Sequence, residues 1–144
     1  MPVIRSNLRV PPIDRVSTVT LAIAVAASCS ARTDEAARVQ GVVARFYKAV
    51  AAEDGMNACA LLAPETFREV EKSAKQPCDT AITDEDLPDD LGTVNDTDVY
   101  GNEARVAADG DTVFVSDFSG EWKIVAVGCS ARDDLPYDCQ IQGA

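Results

Sequence analysis

Residues 99–129 read VYGNEARVAADGDTVFVSDFSGEWKIVAVGC. Asp109-Gly110 and Ser119-Gly120 are turn signals of the kind that join antiparallel strands, because such turns need residues that tolerate positive φ. The runs Thr112–Phe118 and Glu121–Cys129 then read as strands. Side chains alternate across a strand, so Ala104, Val106 and Ala108 share one face of the strand before them. Trp122, Ile124 and Ala126 share one face of the last run, with Val125 and Val127 on the other. Apolar residues on both faces predict that this last strand is covered on both sides. A short closing strand is expected at Gln140–Gln142.

Upstream the period changes. Val39, Val42, Val43, Phe46 and Val50 recur at helical spacing, which predicts a helix over 33–54. Asp34 and Glu35 fall in its first turn, where the helix dipole favours acids, and Gly55 is expected at C′. Gly41 inside it costs up to about 1 kcal/mol relative to alanine, so packing is expected to compensate. A short helix is predicted around Ala58–Leu62. A third starts with Pro64 at its first position and runs to about Lys75, with Pro77 as its stop and Leu61, Leu62, Phe67 and Val70 inward. The acidic stretch DTAITDEDLPDDLGTVNDTD, residues 79–98, fits no calcium-loop spacing. Counting from Asp96, Gly101 is sixth but Ala107 is twelfth; from Asp84, Asp89 is sixth. It reads as a solvated loop with at most one helical turn, and its Asn95–Thr97 sequon as accidental. Helices first and a meander afterwards make an α+β domain, with the helices on one face of a curved antiparallel sheet.

The N-terminus has another texture. Arg5, Arg9 and Arg15 precede an uncharged run, Val16–Ser28, too short to span a bilayer core as a helix. A basic start, a short apolar core and a small-residue exit describe a secretory signal peptide over 1–28. The exit, AASC at Ala26–Cys29, resembles the lipobox of bacterial lipoproteins, with Ala26 where leucine is usual. That resemblance implies a diacylglycerol on the Cys29 thiol, cleavage before it, a brief tether over 29–38 and a domain over 39–144. Two acyl chains suffice for stable anchoring. An ordinary secretory cut is the alternative. The expected location is therefore the outer face of the cell membrane, or the exterior.

Five cysteines and no histidine bear on the same point. With Cys29 set aside for lipid, Cys59, Cys78, Cys129 and Cys139 form an even set for an oxidising compartment. There is no C-x-x-C pair, so no metal site is expected. Of the three pairings, Cys59–Cys78 and Cys129–Cys139 are expected. Cys78 follows Pro77 at the end of a helix that can fold back beside Cys59, and a turn through Pro136 can align Cys139 with the strand end at Cys129. Beyond residue 28 there are ten basic and twenty-three acidic residues, a formal charge of −13. That excludes a nucleic-acid binder, which needs a basic face. It disfavours adhesion to an anionic membrane through the protein surface, leaving the lipid as the membrane contact.

FYKAVAAEDGMNACALLAPE, residues 46–65, resembles the opening helix pair of the nuclear-transport-factor-two-like cone fold. GDTVFVSDFSGEWKIVAVGCSARDDLPYDCQIQG, residues 110–143, is similar to the C-terminal part of small actinobacterial lipoproteins and secreted proteins of that type. The GEWKI hairpin followed by PYDC is the most specific piece. The resemblance implies a cone-like half-barrel with a pocket, but no single function, since that fold carries isomerases, hydratases and non-catalytic modules.

An enzyme of this kind needs an acid–base residue facing a hydrogen-bond donor inside the cone. The sequence offers Tyr47, Asp117, Asp98 and Tyr100, and Trp122 as a pocket wall. Each has a plainer role: Tyr47 and Trp122 as packing, the aspartates as turn formers. Without histidine, Ser-His-Asp and Cys-His arrangements are excluded, and no phosphate-binding glycine loop is present. No cofactor is expected. A non-catalytic module that binds an envelope protein or a small apolar ligand is the leading expectation. A pocket isomerase or hydratase using an aspartate and a tyrosine is the alternative.

Overall fold

A computed structural model describes residues 16–133 and 135–143, with side chains from 31 onward, Leu135 excepted. The signal-peptide reading therefore falls partly, and the lipid on the Cys29 side chain wholly, outside what is described. The chain divides into two units, residues 1–31 and 32–144.

Helix α1 spans Val16–Ala51. It starts well before the expected Thr33, because no glycine or proline interrupts residues 16–40 and alanine is frequent there. Residues 16–31 of it belong to the first unit. In the second unit Val39, Val43 and Phe46 are fully buried, as the 3.6-residue period requires.

Helix α2 spans Gly55–Ala60 and is capped by Asp54, whose carboxylate accepts the Asn57 N–H at 3.2 Å. Gly55 thus opens α2 and does not close α1; the left-handed residue after α1 is Glu53. The glycine is needed for another reason. A Cβ at Gly55 would lie 1.8 Å from the Asp79 carbonyl oxygen. Its absence lets α2 press against α4, Cys78–Ala81, and the Cys59–Cys78 disulfide joins these two helices. Helix α3 spans Pro64–Ala74, with proline in its first turn and Lys75 left-handed at the C-cap.

Five strands follow: β1 Val94–Tyr100, β2 Glu103–Ala108, β3 Thr112–Phe118, β4 Glu121–Arg132 and β5 Leu135–Gln142. They form one antiparallel sheet in the order β1-β2-β3-β4-β5, so the domain is α+β. The acidic stretch is less solvated than its composition suggests. Ile82, Leu87 and Leu91 are buried, and its end becomes β1, an edge strand with Asn95 and Asp96 exposed. The last strand also departs from expectation. Ala126 and Val127 are consecutive and both buried, because the register with β3 slips twice along β4. One slip falls between Ile124 and Ala126, the other between Ala126 and Cys129. These bulges reset the alternation, so Val127 joins the core cluster instead of a second covered face. Gly128, at φ +70°, supplies the backbone conformation that the second bulge needs.

Before β5 begins pairing, the other side of β4 is covered by the link from α2 to α3. Ala63 N–H donates to the Ile124 carbonyl at 2.7 Å, and Ile124 N–H to the Leu61 carbonyl at 2.9 Å. Strand β5 is longer than the expected Gln140–Gln142 and places Cys139 opposite Cys129, where the second disulfide closes the β4–β5 hairpin. Pro136 sits near the start of this edge strand, where a missing N–H is tolerated.

Candidate functional site

Asp111 is the one buried carboxylate among the described residues. It follows the β2–β3 turn directly, and the bulge in β4 aims two backbone donors at it. Gly128 N–H donates to Oδ2 at 2.8 Å and Cys129 N–H to Oδ1 at 2.7 Å. The Tyr47 hydroxyl, on the buried face of α1, donates to the same carboxylate. Three donors from two elements thus converge on one anion, which offsets the cost of desolvating it. Tyr47 is held protonated well above its ordinary value, first by burial and then by the Asp111 hydrogen bond and charge. Its ring meets that of Phe46 edge-on, with centroids 5.6 Å apart.

The other sequence candidates lie apart from this node. Trp122 is buried, and its indole N–H donates to the Glu35 carboxylate on α1. Asp117 accepts the Gly120 N–H at 2.6 Å and shapes the β3–β4 turn, in which Ser119 and Gly120 both have positive φ. Asp98 accepts from Arg105 Nη2 at 2.5 Å, and Arg105 Nη1 donates to the Tyr137 hydroxyl at 3.2 Å. These partners, Tyr137 before Asp98, push the Arg105 guanidinium further up. Tyr100 is mostly exposed. None of these side chains is hydrogen-bonded to Tyr47, whose partner Asp111 was not a sequence candidate. A glycine inside a strand pattern, Gly128, was the available signal of a close approach.

The concavities are surface grooves. One, of about 430 Å³, runs beside α1 and the β3–β4 turn between Gly41, Arg45, Leu61 and Trp122. Another, of about 270 Å³, follows β5 from Cys139 to Gly143 and is walled by Glu69, Val70 and Ser73 of α3 and by Glu85. Neither is lined by Tyr47 or Asp111. Among the described residues no group of three or more His, Cys, Asp or Glu side chains is placed to hold a metal ion. No helix among them is long and apolar enough to cross a membrane. The two disulfides fit an oxidising, extracytoplasmic setting. The chain matches no family model, and neither the curated proteins nor the solved structures contain a similar one.

Proposed function

We propose that this chain is a non-catalytic binding module of the cell envelope. In this reading a signal peptide over 1–28 is removed, Cys29 carries the lipid, residues 29–38 tether it, and a cone-like α+β domain of the nuclear-transport-factor-two-like type presents surface grooves to a partner. One observation carries the proposal: the one buried carboxylate among the described residues, together with the hydroxyl that donates to it, is engaged in structure. Asp111 spends its lone pairs on Tyr47 and two backbone N–H groups, away from the described grooves. A general base needs reach to a substrate proton, whereas a carboxylate bound in this way fixes a bulge, a disulfide strand and a helix to one another. The charge of −13 beyond residue 28 favours recognition at a distance from anionic lipid, with the acyl chains as the membrane contact.

The test is position-specific photo-crosslinking in intact cells, with the reactive residue at Arg45, Tyr100 or Gln140 of the full chain. A discrete adduct at one position, competed by unlabelled protein, is expected. No adduct at any position, or a conversion in envelope extract that is abolished by Tyr47→Phe in a folded chain, overturns the reading. Cys29→Ser tests the anchor. The variant should leave the detergent phase or accumulate uncut; retention in that phase at the processed size refutes lipidation.

A further inference from the structure

The two edges of the sheet are treated differently. Edge strands carry unpaired N–H and C=O groups, and proteins blunt them with charges and bulges. Strand β1 has both devices. Its register slips between Val94 and Asp96, Asp96 and Asp98 carry charge, and Arg105 binds both carboxylates. Strand β5 has such devices only in its first half, with Pro136, Asp138 and a register slip between Ser130 and Arg132; its end, Cys139-Gln140-Ile141-Gln142, has no charge. Beyond its ladder with β4, no backbone hydrogen bond of these residues reaches another element among the described residues. Five consecutive residues, 139–143, line the groove there. Since neighbouring residues of a strand face opposite sides of the sheet, a groove touched by all five runs along the edge and not over one face. Its far wall is acidic and half-buried, with Glu69 on α3 and Glu85 before the sheet. Among the described residues Glu69 pairs with Lys72 at 3.1 Å, an exposed pair of the weak surface kind.

We infer that the free edge of β5 is a docking edge for an extended, basic segment of a partner protein, which adds to the sheet as a sixth strand beside β5, where α3 flanks the groove. The inference rests on the binding-module reading and names the partner's chemistry. Backbone pairing supplies affinity in this mode of recognition, and alternate side chains supply specificity. Every second residue of the incoming strand turns toward α3 or away from it, so lysine or arginine at alternate positions meets Glu69 and Glu85. A second copy of this chain is disfavoured as the occupant, because two domains of charge −13 repel.

The probe is a fluorescent seven-residue peptide alternating valine and lysine, titrated into the full chain in detergent and followed by anisotropy. Three results are expected. A valine–glutamate counterpart binds at least tenfold more weakly. Glu69→Lys with Glu85→Lys weakens the lysine peptide at least tenfold. N-methylation of the peptide at one alternate set of residues abolishes binding, while methylation of the other set leaves it unchanged, because only one set faces β5. Hydrogen exchange should slow at 139–142. Equal effects of the two methylation sets, protection confined to β1 or α1, or no binding at millimolar peptide overturns the inference. In cells, an adduct from Arg45 or Tyr100 with none from Gln140 preserves the binding module and removes the β5 edge as its site. An adduct of this chain with itself at Gln140 assigns the edge to self-association and overturns the proposal.

Discussion

Asp111→Asn tests the node where α1, the β4 bulge and the second disulfide meet. The wild-type carboxylate accepts from Tyr47, Gly128 N–H and Cys129 N–H. Hydrogen bonds to a charged group contribute about 1.5–3 kcal/mol, against about 1 kcal/mol for neutral ones. Neutralising the acceptor therefore costs about 1 kcal/mol at each of three bonds. The asparagine NH₂ must also face a donor, so the total is about 3 kcal/mol or more, a large part of the 5–15 kcal/mol of a whole domain. Tyr47→Phe removes one of the three bonds and should cost about 1.5 kcal/mol. The double variant should show a coupling of at least about 1 kcal/mol, since both changes act on one bond. Urea unfolding followed by circular dichroism reads all of these. The pH dependence is a separate check. An unfolded tyrosine ionises near pH 10, whereas burial and Asp111 keep folded Tyr47 protonated above that. Its contribution is thus fully present below pH 10 and declines as pH rises beyond it, by about 1.4 kcal/mol per unit. Tyr47→Phe should remove that extra slope. A loss below about 1 kcal/mol for Asp111→Asn, or equal alkaline slopes for wild type and Tyr47→Phe, would refute the structural role of the pair.

Gly41→Ala should stabilise the domain by up to about 1 kcal/mol, raising Tm by about 4 °C in a thermal melt. The added Cβ meets nothing nearer than the flexible Arg45 guanidinium at 3.8 Å. Gly55→Ala should cost about 3 kcal/mol by urea titration, because its Cβ collides with the Asp79 backbone, which cannot retreat while Cys78 is bridged to Cys59. Each disulfide, closing separations of 19 and 10 residues, is worth about 3 kcal/mol in the chain-entropy model. Paired Cys→Ser variants should each lower the urea midpoint accordingly, and non-reducing peptide mapping should show no crossed bridges.

The α+β class was legible because two periods are strong in this sequence: 3.6 in Val39–Val50 and 2 in Ala104–Ala108 and Trp122–Ala126. What periodicity cannot carry is backbone geometry that two segments impose on each other. Gly55 looked like a helix terminator because glycine after an apolar helical run commonly is one. Its function is steric, and depends on where Asp79 lies. The packing expected to compensate for Gly41 is absent, since nothing presses on that position. Val125 and Val127 looked like a second covered face because strict alternation was assumed, and two register slips broke it.

The same limit hid the buried site. Tyr47 is visible as an aromatic on an apolar helix, but its partner lies between the Asp109-Gly110 turn signal and the strand that starts at Thr112, where an aspartate has ordinary turn chemistry. One turn thus contains two aspartates with opposite fates. Asp109 stays exposed, its carboxyl held below the usual range chiefly by the Asn95 amide. Asp111, two residues later, is drawn inward. The difference lies in β4: opposite Asp111 a bulge turns two successive N–H groups toward its carboxylate, and Gly128, at positive φ, lets the backbone take that shape. A Cβ there would come within 2.7 Å of the Gln140 side chain on β5. The glycine therefore sets the acid's burial and the seating of β5 against β4 together. Gly128→Ala should for that reason loosen both, lowering stability and raising hydrogen exchange at Cys129 and at 139–142.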